Sequence, residues 1–157
     1  MWIFPRSRRQ SALLGHRLAD WGIEVLYSSS LIRAVQTAEE INRFLLLPHQ
    51  VLSGAGEISF GEMEGFPDEE IAVRFREFKE RQAAMTEDLP YPGGECAADV
   101  IRRAGPVLER LAESGHERIA VVTHGGVIRT MQPGIWGCLW KNGGFLERIW
   151  KIQVSHS

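Results

Sequence analysis

Apolar residues recur along this chain in two periods, and the two alternate. Leu14, Leu18 and Trp21 stand at i, i+4 and i+7, one face of a helix that Gly22 ends. Val25-Leu26-Tyr27 is a short continuous apolar run and reads as a strand. It is bounded by Ser28-Ser29-Ser30, one of which is placed to cap the next helix. That helix is predicted over residues 31–44, with Val35, Ala38 and Ile41 inward. Pro48 marks a loop and Val51-Leu52 a short edge strand. The glycines between Gly54 and Gly65 preclude a regular element and suggest a loop laid over something else. Pro67-Asp68 opens a helix in which Ile71, Phe75 and Phe78 share a face. After a loop from Leu89 to Gly94, a helix is predicted over residues 96–113. Ala97, Ile101, Ala104, Leu108 and Leu111 point inward, Gly105-Pro106 kinks it, and Gly115 follows its end. Ile119-Ala120-Val121-Val122 then runs into Thr123-His124-Gly125-Gly126. This reads as a buried strand, a tight glycine turn and a helix N-terminus. Beyond Arg129 the pattern weakens. Pro133-Gly134 stops the last helix, and Trp150 to Ser155 alternates as a strand does.

Helices alternating with strands at this spacing predict an α/β fold: three layers, α/β/α, around a mostly parallel sheet. In such sheets ligands gather beyond the carboxyl ends of the strands. Ser28 to Ser30 and Thr123 to Gly126 both lie at such ends. With 157 residues the chain is expected to be a single domain with a core of its own. Its formal net charge of −2 argues for neither nucleic acid nor an anionic membrane surface, so neither is expected as partner, and the basic start at Arg6, Arg8 and Arg9 reads as a solvated helix start. Cys96 and Cys138 are far apart with no CxxC spacing, which fits reduced thiols in a cytoplasm. The histidines His16, His49, His116, His124 and His156 show no metal-ligand spacing, so neither metal nor cofactor is expected. No apolar run approaches a membrane span.

Three stretches carry candidate chemistry. A strand, a glycine turn and a helix N-terminus at Thr123 to Gly126 aim backbone N–H groups and the positive end of a helix dipole at one point, which suits a phosphate; His124 can donate to the same anion. Arg33 lies in the first turn of a helix, poorly placed for that helix's own dipole. Its position makes sense if guanidinium and helix end face an anion together, the fork gripping two oxygens. Glu57, in a glycine-flanked loop, is a candidate general acid.

The order and wording of these stretches resemble the histidine phosphatase superfamily, in its phosphoglycerate mutase-like branch. The matching residues are Ser-Ser-x-Leu-x-Arg-Ala-x-Gln-Thr-Ala (Ser28 to Ala38), Glu-Ile-x-Phe-Gly-x-x-Glu-Gly (Glu57 to Gly65), Pro-Gly-Gly-Glu (Pro92 to Glu95) and Val-Thr-His-Gly-Gly-Val-Ile-Arg (Val122 to Arg129). The resemblance implies attack by a histidine on the phosphorus of a phosphomonoester, through a phosphohistidine and without a metal. It implies Glu57 as proton donor to the leaving oxygen. It implies Arg33, His124 and Gly125 as holders of the phosphate, with a small phosphorylated metabolite as partner. The compact stretch between Gly65 and Pro92 looks like the phosphatase members rather than the mutases, whose phosphoryl transfer is the alternative.

One element of the family pattern does not occur. The family's nucleophile belongs to an Arg-His-Gly motif at the end of its first strand, and these 157 residues contain no Arg-His-Gly. The expectation is therefore a domain truncated at both ends, lacking the nucleophile, a second clamping arginine and a central strand. Neither His16 on the first helix, His49 in a loop, nor His156 at the terminus is expected to substitute. A catalytically dead phosphate- or partner-binding remnant is the second reading. The bare side of the Ile119 to Val122 strand is expected to favour self-association.

Overall fold

The computed structural model of the chain describes residues 5–84, 86–131 and 149–154. Its elements follow the alternation of the sequence: α1 (Pro5–Leu18), β1 (Val25–Ser29), α2 (Ile32–Leu45), β2 (His49–Leu52), α3 (Asp68–Arg74), α4 (Arg76–Ala83), α5 (Ala97–Ala112) and β3 (Ile119–His124). Residues 125–131 continue as helix α6, and β4 (Ile149–Val154) closes the described chain. The strands form one sheet in the order β2-β1-β3-β4, every pairing parallel. The α/β architecture predicted from the alternation is the one observed.

β1 and β3 are buried along their whole length, as central strands of a parallel sheet covered on both faces must be. Their residues alternate between the two faces. Leu26, Ala120 and Val122 pack with Leu18, Ala34, Ala38 and Ile41 under α1 and α2. Val25, Tyr27, Ile119 and Val121 pack with Leu111 under α5. A further cluster, Val100, Ala104, Val127 and Met131, joins α5 to α6. α1 and α2 cross closely at Gly15, where an added Cβ would stand 2.7 Å from the Ile41 carbonyl oxygen. α1 ends in a 3-10 turn at Ala19–Trp21, closed by Gly22 with φ +65°, the left-handed conformation glycine adopts without strain.

Several expectations are corrected. In α2 the buried stripe includes Ala34, with Ala38 and Ile41, and Val35 is only partly covered. Small residues on this stripe let the helix lie close to the sheet. In α5 the buried stripe is Val100, Ala104, Val107 and Leu111, while Ile101 is 50% exposed. The stripe is turned because the loop after β2 packs on this flank: a Cβ on Gly54 would stand 2.6 Å from Val107 Cγ2 and from the Arg103 carbonyl oxygen. The helix predicted from Asp68 is two, α3 and α4, broken at Phe75. His49 opens a strand rather than lying in a loop. None of the serines caps α2, whose N-cap is Leu31 without a side-chain bond. The bare side of β3 is also not observed: β3 pairs with β1 on one side and with β4 on the other, from Ile119 to His124. That removes the stated reason for self-association through this strand.

Candidate active site

The site builds up from the carboxyl ends of β1 and β3. Ser29 and His124 are completely buried, and Ser29 Oγ lies 2.7 Å from His124 Nε2, a hydrogen bond across 95 residues of sequence. The serine read as a helix cap thus orients the histidine instead. β3 passes into α6 with no intervening turn residue, and neither Gly125 nor Gly126 has positive φ. The predicted tight glycine turn is therefore a direct strand-to-helix junction. Gly126 is needed for space: a Cβ there would collide with Glu57 Oε1 and stand 2.7 Å from Ile58 Cγ2. The absence of a side chain at Gly126 thus makes room for the Glu57 carboxyl group beside the start of α6.

Arg33 occupies the first turn of α2, as expected. Its Nε is buried and has no hydrogen-bond partner among the described residues. A buried donor of this kind costs about 1–3 kcal/mol unless something accepts from it. Arg33 and Glu57 line one cavity of about 710 Å³. His124 and Gly125, at the end of β3, are buried and are not among the residues that line this cavity.

One residue that carries the site was not singled out in the sequence: Arg103. Arg103, on α5, donates from Nη1 to the carbonyl oxygens of Gly54 (2.8 Å) and Gly56 (2.9 Å) and from Nη2 to that of Glu57 (2.9 Å). Its Nε and Nη2 also hold both oxygens of Glu95, at 2.7 and 2.9 Å. Glu95 Oε2 accepts from the Ser59 amide at 2.9 Å, and Thr123 Oγ1 donates to the Ala55 carbonyl at 2.7 Å. Every backbone carbonyl from Gly54 to Glu57 thus meets a fixed donor, and the loop presenting Glu57 is held from α5 and β3 at once. The motif Pro92 to Glu95 supplies the rest of the clamp. Gly61 has φ +56°, and a Cβ on it would stand 2.5 Å from Gly93 C and Gly94 N. The sequence signal available was an arginine beside the apolar stripe of α5, eight positions after Glu95.

The Arg103 guanidinium, by hydrogen bond first, holds the Glu95 carboxyl below its ordinary value of 4.5. A carboxylate with a lower value folded than unfolded stabilises the fold above the unfolded value. That contribution is lost as pH falls through the folded value. Protection of the Ser59 amide from hydrogen exchange is therefore expected to fall on acidification below about pH 4. Glu95→Gln should remove that pH dependence; an identical acid profile in the variant would contradict the clamp.

The other histidines lie elsewhere. His16 is exposed on α1, edge-on to Phe44 at 6.2 Å between ring centres. His49 Nε2 lies 2.9 Å from Ser28 Oγ, and partial burial lowers its pKa. His116 pairs with Glu24. His156 and Cys138 fall outside the described residues. Among the described residues no group of three or more His, Cys, Asp or Glu is arranged to hold a metal ion, and no helix is long and apolar enough to cross a membrane.

The model of the histidine phosphatase superfamily, branch 1, matches residues 3–154. The chain belongs to this superfamily. It is 27% identical to the uncharacterized phosphatase PhoE of Bacillus subtilis, over 94% of this chain and 77% of that protein. It is 33% identical to phosphoglycerate mutase-like protein 4 of Arabidopsis thaliana, over 80% of this chain and 56% of that one. Among solved structures, a mycobacterial glucosyl-3-phosphoglycerate phosphatase superposes with a TM-score of 0.76 at 23% identity, covering 91% of this chain and 73% of that one. The α-ribazole phosphatase of Shigella flexneri superposes at 0.75 and 23%, covering 86% and 67%. At these identities the superpositions establish the phosphoglycerate mutase-like fold. The mycobacterial enzyme has been solved with inorganic phosphate and with vanadate.

Proposed function

We propose that this superfamily member binds phosphomonoesters at the β1 and β3 ends, as a phosphomonoester hydrolase by family whose nucleophile these 157 residues do not contain. The observation that carries the reading is Arg33 in the first turn of α2, lining the same cavity as Glu57, with a buried Nε that has no acceptor among the described residues. A guanidinium so placed grips two equatorial oxygens of a phosphoryl group. His124, oriented by Ser29, and the Gly125 amide at the start of α6 take further oxygen charge as it develops. Glu57 is placed to protonate the leaving alcohol oxygen once a nucleophile has attacked phosphorus. The phosphohistidine step requires the histidine of an Arg-His-Gly motif, which these 157 residues do not contain. Phosphate binding is the part of the reaction that the described residues carry by themselves. The same lack favours the second reading, a phosphate-binding module without turnover.

Calorimetry with orthovanadate and inorganic phosphate, together with a search for an acid-labile phosphoenzyme, separates the readings. At a hundredfold excess over Kd, ligand should stabilise the fold by about 2.7 kcal/mol. Binding with phosphoenzyme formation supports the phosphatase, and binding without it supports the module. If neither anion binds, both readings are wrong.

A further inference from the structure

The cavity that Arg33 and Glu57 share is much larger than a phosphoryl group requires. Its volume of about 710 Å³ falls in the range of sites that enclose drug-sized ligands. Part of its wall is apolar, built from Phe60, Met63, Phe66, Ile71 and Tyr91. The wall is fixed in advance. Phe60 and Tyr91 meet edge to face with ring centres 4.9 Å apart, and Tyr91 leans on Phe78 at 5.4 Å. The guanidinium carbon of Arg74 stands 4.6 Å over the Phe66 ring. Phe60 is held by its neighbours: its amide donates to Glu64 Oε1 at 3.1 Å, and Gly61 and Gly94 interlock beside it. A preformed aromatic wall loses little freedom when it accepts a ligand. The charged groups lining this end are Glu64, Asp68 and Lys79, two carboxylates to one ammonium, and Arg74 beside them is paired with Glu70 at 3.2 Å.

We infer that the alcohol part of the phosphomonoester is an aromatic or extended apolar group that bears no carboxylate, seated against Phe60, Phe66 and Tyr91. The inference rests on Arg33 holding the phosphoryl group. A carboxylate on the alcohol would meet the surplus negative charge of Glu64 and Asp68, whereas a phenyl ring finds edges and faces of its own kind.

Phosphonates test this without any need for turnover. Calorimetry on the full chain should show phenylphosphonate binding roughly ten times tighter than methylphosphonate, or more, from the apolar area it buries. 3-Phosphonopropionate should bind no tighter than methylphosphonate. Phe60→Ala should bring the phenyl-to-methyl ratio toward one. Ile71→Ala, on α3 and away from the sheet core, should lower the same ratio and serves should the first variant not fold. Equal affinities for the methyl and phenyl compounds, or tighter binding of the carboxylated one, would overturn the substrate class and leave the phosphate site standing. If methylphosphonate and inorganic phosphate both fail to bind, the phosphate reading falls and the substrate class falls with it.

Discussion

Arg33→Ala is expected to weaken phosphate or vanadate binding on the order of a hundredfold while leaving the unliganded protein at least as stable as before. The loss follows from removing a charged two-pronged donor to a dianion, worth about 2–3 kcal/mol where solvent is displaced. The unchanged stability follows from the buried Nε, whose desolvation no group among the described residues offsets. Arg33→Lys keeps the charge and loses the fork, so its affinity should fall between the two. Calorimetry and thermal melting, run side by side without and with ligand, check both halves. A variant that melts much earlier without ligand and binds phosphate normally would mean that Arg33 is a structural residue.

Arg103→Ala is expected to be the most damaging single change to the frame of the site. It strips donors from the carbonyl oxygens of Gly54, Gly56 and Glu57 and leaves Glu95 with no cation. Both partners of the ion pair are about a quarter exposed, which screens part of the loss. Roughly 3 kcal/mol remains, or on the order of 10 °C in Tm for a chain of this size. The effect should concentrate in the loop: amide exchange at Ser59 should rise more than exchange within β1 or β3. Arg103→Lys should recover little, because an ammonium cannot serve the carboxylate and three carbonyls from one plane. A uniform rise in exchange across the sheet would instead place Arg103 in the global core energetics, with no particular hold on Glu57.

The order of helices and strands was legible because each element has a period of its own, down to the last strand at Ile149–Val154. The motifs were legible for a different reason: Arg33, Glu57 and His124 stand in short stretches whose wording is local. What stayed hidden depends on partners distant in sequence. Which flank of α5 is buried is decided by Gly54, which approaches from the far side of the β2 loop. Ser29 reads locally as a cap, and only the arrival of β3 gives it His124 to bond. Arg103 looks like a helix-surface arginine until the carbonyls of the Glu57 loop are placed around it. Gly126 looks like a turn glycine, and the carboxylate it accommodates lies in a different segment.

The pairing of β1 with β3 also governs how the protein comes into being. The Ser29–His124 contact spans 95 residues, so at about 5–20 residues per second roughly 5–19 s of synthesis separates its two ends. During that interval β1 has emerged with the apolar residues of both its faces and one unpaired side, while its eventual neighbour does not yet exist. A nascent chain in this state invites capture by a chaperone or by another copy of itself.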